Sequence, residues 1–140
     1  MQLKPIFSLL NSQFQENLPF YLVLFDMKIM DKEKAKIYEG IDNTLIFENL
    51  EILKNNKTPF IIRIPLIPGV IDTEENILQI IDKIKDSNNL ICVEVLPYNK
   101  YAGGKYKLAN QEYRPLFNED IPSNPRFELF EKVNIKVRRL

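Results

Sequence analysis

Short continuous apolar runs alternate along the chain with segments whose apolar residues recur every three or four positions. The runs lie at 20–25, 60–64 and 90–96. A stretch apolar on both faces is what a buried parallel strand requires. Between them, 31–38 predicts a short polar helix stopped by Gly40. Asp42 and Asn43 offer caps for a second helix with Ile46, Leu50 and Leu53 on one face, ending at Asn55-Asn56-Lys57. Asp72 and Glu75 read as an aspartate variant of a capping box. The helix they open carries Ile77, Ile80, Ile81 and Ile84 on one stripe, until Asn88-Asn89 breaks it.

The chain ends are less regular. Residues 4–12 predict a short helix with Pro5 in its first turn, and 13–19 a polar connection. Strand 60–64 leaves through Pro65 and a turn at Pro68-Gly69, and strand 90–96 ends at Pro97. A loop at 98–107 with Gly103-Gly104 follows, then an irregular stretch at 110–123, a short helix at 126–131 and a last strand at 133–137. Strand-helix alternation of this kind makes an α/β protein with a parallel sheet flanked by helices. In such sheets the working residues gather at the strands' C-terminal ends. Three full strands are few for a closed barrel.

Composition narrows the chemistry. The 140 residues fit one domain. Lys plus Arg and Asp plus Glu both number 19, so no bulk field draws the chain to nucleic acid or a membrane surface. The mildly basic run at 132–139 reads as a solvated edge strand. With no histidine, no Ser-His-Asp triad or histidine-ligated metal can be built from this chain. Cys92 is the only cysteine, which excludes an internal disulfide and a cysteine-held iron–sulfur cluster. It reads as a buried, inert thiol. A lone cysteine, with no secretory leader pattern and no apolar run of membrane-spanning length, predicts a cytoplasmic protein.

Candidate chemistry concentrates at Asp26, Lys28, Arg63 and Asn99, on or just beyond strand ends. An acid and a base two residues apart can face one cavity, and Arg63 interrupts an apolar run, which is unfavourable unless it is paired. A carboxylate, an ammonium and a guanidinium together suit a zwitterionic or anionic ligand. The same residues also fit a plainer arrangement, with Asp26 and Lys28 in a solvated turn and Arg63 facing out between helices. The loop at 98–107, where lysines and tyrosines flank two glycines, reads either as a mobile cover or as a surface loop.

An ordered series of segments carries a resemblance. It runs from Phe25-Asp26-Met27-Lys28-Ile29-Met30-Asp31 through Tyr38-Glu39-Gly40, Asn43 and Glu48-Asn49-Leu50. It continues with Ile62-Arg63-Ile64-Pro65-Leu66-Ile67-Pro68-Gly69-Val70, Glu74-Glu75-Asn76-Ile77 and Leu96-Pro97-Tyr98-Asn99. The series resembles the C-terminal half of the glycyl-radical enzyme activating enzymes, the pyruvate formate-lyase activating family of the radical S-adenosylmethionine (SAM) superfamily.

The resemblance implies part of a (β/α)6 barrel, with SAM and a [4Fe-4S] cluster as cofactors and a glycyl-radical enzyme as partner. It implies that Asp26 and Lys28 line the SAM and partner-peptide site, with Asp26 also a ligand for a monovalent cation. Arg63 falls on an arginine that contacts SAM. Asn99 stands where many members have histidine, and Ala35 and Glu39 also depart from the commonest residues.

The Cys-x-x-x-Cys-x-x-Cys motif that holds the family's cluster does not occur in this chain. A further family strand is expected between 4–12 and 14–19, yet near Gln13 the polar residues run on without an apolar stretch. The expectation is therefore a half-barrel without the cluster-binding portion, inactive alone, whose first strand has a free edge prone to self-association. Two other readings fit the residues: an inactive truncated partner-binding domain, and an independent α/β domain with an unrelated ligand.

Overall fold

The computed structural model describes residues 22–99 and 116–140. The predicted helix at 4–12, the connection at 13–19, the junction at Gln13, the start of the first strand and most of the 98–107 loop lie outside them.

The first strand, β1 (Val23–Asp26), is followed by helices α1 (Lys32–Glu39) and α2 (Thr44–Lys54). Next come β2 (Phe60–Leu66), α3 (Glu74–Ile84) and β3 (Leu90–Pro97), then α4 (Phe127–Glu131) and β4 (Val137–Arg139). The four strands form one sheet in chain order, and every pair is parallel. This is a partial α/β barrel. Among the described residues β1 pairs only with β2, so its other side is an edge.

The sheet has two distinct faces. Phe25, Phe60, Ile62, Ile64, Leu66, Val93 and Val95 point to the helices, where they pack with Leu50, Leu53, Ile77, Ile80 and Ile84 in one apolar core. Alternation along the strands sends Asp26, Ile61, Arg63, Cys92, Glu94 and Arg138 to the other face. Arg63 therefore does not face out between helices. Cys92 is buried and free, as read from sequence.

Local chemistry explains most boundaries. Asp31 caps α1 by accepting from the Lys34 N–H at 2.8 Å, and Gly40 closes it at φ 68°, a conformation that favours glycine. β2 continues through Pro65, where the sequence suggested it would end. The Arg63 carbonyl accepts from Met27 N–H at 2.9 Å, so Pro65, two residues on, also turns its backbone toward β1. β1 has already ended there, and the missing N–H of Pro65 forfeits no ladder bond.

The predicted capping box falls on the wrong residue, and of the two caps offered for α2 only one makes a bond. Thr73, not Asp72, caps α3, accepting from Asn76 N–H at 3.2 Å. Before α2 Asn43 makes no cap bond, while Asp42, the other cap read from the sequence, accepts from the Thr44 N–H at 2.9 Å. The last strand starts at Val137 rather than at 133, because α4 unwinds through Asn134 at φ 57°, where Ile135 N–H reaches back to Phe130 carbonyl at 3.1 Å. No helix among the described residues is long and apolar enough to cross a membrane.

Candidate functional site

The sheet register places four charged residues in one row across the open face. Asp26 pairs with Arg63, Arg63 with Glu94, and Glu94 with Arg138. Charge sign alternates along the row. Arg63 and Glu94 each interrupt an apolar strand, and the structure shows why the interruption is tolerated: Arg63 Nε donates to Glu94 Oε2 at 3.0 Å. Glu94 is only 3% exposed, and its other oxygen, Oε1, accepts from Arg138 Nε at 3.0 Å and from Arg138 Nη2. The Arg138 hydrogen bond, with that of Arg63, holds the Glu94 carboxyl below its ordinary pKa, against the effect of burial. The basic C-terminal run is thus not merely a solvated edge, since Arg138 is spent on a buried carboxylate.

Asp26 sits at the end of β1, exposed, and has no ion pair with Arg63. Lys28 lies two residues beyond the strand and leans away from the row, with Nζ 4.0 Å from Glu39 Oε1. Asp26 and Lys28 nevertheless line one cavity of about 340 Å³, together with Met27, Glu39, Asn43 and Asn49. Asn99 is exposed two residues past the end of β3 and does not line that cavity. The structure thus brings Asp26 to Arg63 in register and to Lys28 in a shared cavity, and leaves Asn99 apart.

The backbone carrying Lys28 is held by two buried asparagines. Asn76 Oδ1 accepts from Met30 N–H at 2.8 Å, while its Nδ2 donates to the carbonyls of Lys28 at 2.8 Å and Ile71 at 3.0 Å. Asn43 Nδ2 lies 2.9 Å from the Ile29 carbonyl and 3.1 Å from that of Met30. These amides satisfy an irregular buried segment that no ladder serves. Glu94 interrupts an apolar run and so carried a sequence signal, whereas Asn43 and Asn76 follow polar residues at helix starts and carried none.

Glu39 gives the cavity a titrating wall. Burial raises its pKa above the ordinary 4.5, and the nearby Lys28 ammonium only partly offsets this. A carboxyl with a raised folded pKa favours the fold fully below its unfolded value and loses that contribution as pH rises through the folded value. Glu39→Gln is therefore expected to raise the melting temperature at neutral pH. The gain should vanish in scans below pH 4.5, the ordinary value. A gain that persists unchanged in acid would refute the assignment.

No cluster of three or more His, Cys, Asp or Glu occurs among the described residues. A cubane cluster needs several thiolates, and the one cysteine is buried, so this chain's residues do not fit a [4Fe-4S] cluster. The open face presents opposite charges side by side at Asp26 and Arg63.

No family model matches the chain. Among curated proteins it is 37% identical over 106 residues to the 4-hydroxyphenylacetate decarboxylase activating enzyme of Clostridioides difficile, covering 74% of this chain and 33% of that one. It is 36% identical over 95 residues to the choline trimethylamine-lyase activating enzyme of Oleidesulfovibrio alaskensis, covering 66% and 31%. The chain thus spans about a third of the length of these relatives. A crystal structure of a domain of pyruvate-formate lyase-activating enzyme from Bacteroides vulgatus superposes with a TM-score of 0.62 at 22% identity, covering 85% of this chain and 66% of that one. That likeness establishes the fold, and the sequence matches place the chain in the glycyl-radical enzyme activating enzyme family.

Proposed function

We propose that this chain is the C-terminal portion of a SAM-dependent activase that installs a glycyl radical on a partner enzyme, and that its open sheet face forms one wall of the SAM site. The observation that carries the reading is the register of Asp26 against Arg63 on that face, opposite charges side by side but not paired with each other. Arg63 would hold the carboxylate of the methionyl group, and Asp26 its ammonium or a monovalent cation bridging to it. Lys28 and Asn99, farther out, would meet the partner's glycine-bearing loop. The cluster that reduces SAM would come from sequence outside this chain. The edge of β1 would take up a further strand of the same activase, or a second copy of this chain.

Titration calorimetry with SAM tests the site. The chain is expected to bind SAM, and Asp26→Asn and Arg63→Met to weaken binding by on the order of tenfold each. Anaerobic incubation with iron and sulfide is expected to leave the chain without an iron–sulfur chromophore. A stoichiometric cluster that cleaves SAM, or SAM binding indifferent to both substitutions, would overturn the reading. SAM binding without any chromophore would also separate this proposal from an inert partner-binding fragment, which has no reason to retain a SAM wall.

A further inference from the structure

Arg63 reaches Glu94 through Nε alone, and its two Nη groups have no partner among the described residues. The guanidinium is therefore held from one side and presented from the other, with its side chain 34% exposed. A single carboxylate beside it would cancel its charge and weaken its pull on an anion. Glu94 does not act alone, however. Its other oxygen is engaged by Arg138, from a different strand. Two guanidinium groups sharing one buried carboxylate leave one net positive charge on that trio, with Asp26 standing apart as the opposite pole, and the free Nη groups of Arg63 are where the positive charge meets the open face.

We infer that Arg138, acting through Glu94, is a positioning residue that keeps Arg63 both fixed and electropositive toward an anionic ligand group. The inference rests on the proposed SAM wall but concerns residues to which that reading gives no role. Geometry supports the division of labour. Arg138 sits two strands from Arg63, on the three-residue strand β4, and donates to the carboxylate oxygen that Arg63 leaves open. Without Arg138, Glu94 would have only Arg63 to satisfy it, and the guanidinium would be drawn toward the carboxylate with both donor edges. The Nη groups would then turn from the open face.

The test is SAM titration on the whole chain with Arg138→Met, Arg138→Lys, Arg63→Met and the Arg63→Met/Arg138→Met double variant, folding being checked by circular dichroism. Arg138→Met is expected to weaken SAM binding by on the order of tenfold, with Arg138→Lys restoring most of it. The double variant should bind no more weakly than Arg63→Met, because Arg138 acts only through Arg63. Unchanged binding in a folded Arg138→Met, or losses that multiply in the double variant, would overturn the inference. If Arg63→Met itself leaves SAM binding unchanged, the SAM-wall reading fails instead, and urea unfolding decides the coupling. Arg63→Met should then destabilise more when Arg138 is also gone, since Glu94 loses its last partner; strictly additive effects would overturn the linkage.

Discussion

Asn76→Ala is expected to destabilise the protein by roughly 3–5 kcal/mol, because it strands two buried backbone groups and a part-buried one at once. The Met30 N–H and the carbonyls of Lys28 and Ile71 all rely on this one side chain. Asn76 is 6% exposed, so water has little access to replace it. Each orphaned group costs about 1–3 kcal/mol, and a typical domain holds only about 5–15 kcal/mol in total. Asn76→Asp should be no better. It keeps an acceptor for Met30 N–H but turns a second oxygen toward two carbonyl oxygens. Urea unfolding measures the loss, and a change below about 1 kcal/mol would show that the amide is not what holds the segment. The effect also reaches the candidate site: amide exchange at 28–30 should quicken, because this backbone sets where Lys28 stands.

Asn76 also marks the limit of what the sequence discloses. The helices and strands were legible because their signals are local. The isoleucine stripe of α3 is buried as its spacing required, and the apolar runs became the sheet. The site was half legible: Asp26, Lys28 and Arg63 stood out as charges at or within strands. Their arrangement was not, since it depends on register. Nothing near Arg63 in sequence announces that Glu94 lies opposite it or that Arg138 lies beyond. Asn43 misled for a physical reason. An asparagine at a helix start is a cap by every local rule, and Asn43 stands at that position, yet its amide is spent on carbonyls 13 and 14 residues back. Long-range bonds of this kind leave no trace in periodicity.

Asp72 makes the same point at larger scale, and its removal should be nearly as costly. One residue out of register with the predicted capping box, it joins two distant parts of the chain. Its Oδ1 accepts from Gly69 N–H at 2.7 Å in the turn after β2, and its Oδ2 from Asn124 N–H at 2.7 Å. Its own carbonyl accepts from Arg126 Nε at 2.6 Å. Bonds to a carboxylate are stronger than neutral ones, and this residue is 6% exposed. Asp72→Ala is therefore expected to lower stability by roughly 2–4 kcal/mol. Asp72→Asn should lose roughly half of that, since its amide offers one acceptor where two are needed. Thermal unfolding reads the size, and amide exchange at Gly69 and Asn124 reads the place: both should quicken in Asp72→Ala while the core of β2 and α3 stays protected. Exchange that rises equally everywhere would mean a general loss of packing, not a severed tie. The tie matters because the segment it anchors leads directly into α4 and β4. Asp72 thus fixes the approach to the strand that carries Arg138, and the charged row on the open face depends on a carboxylate buried at its flank.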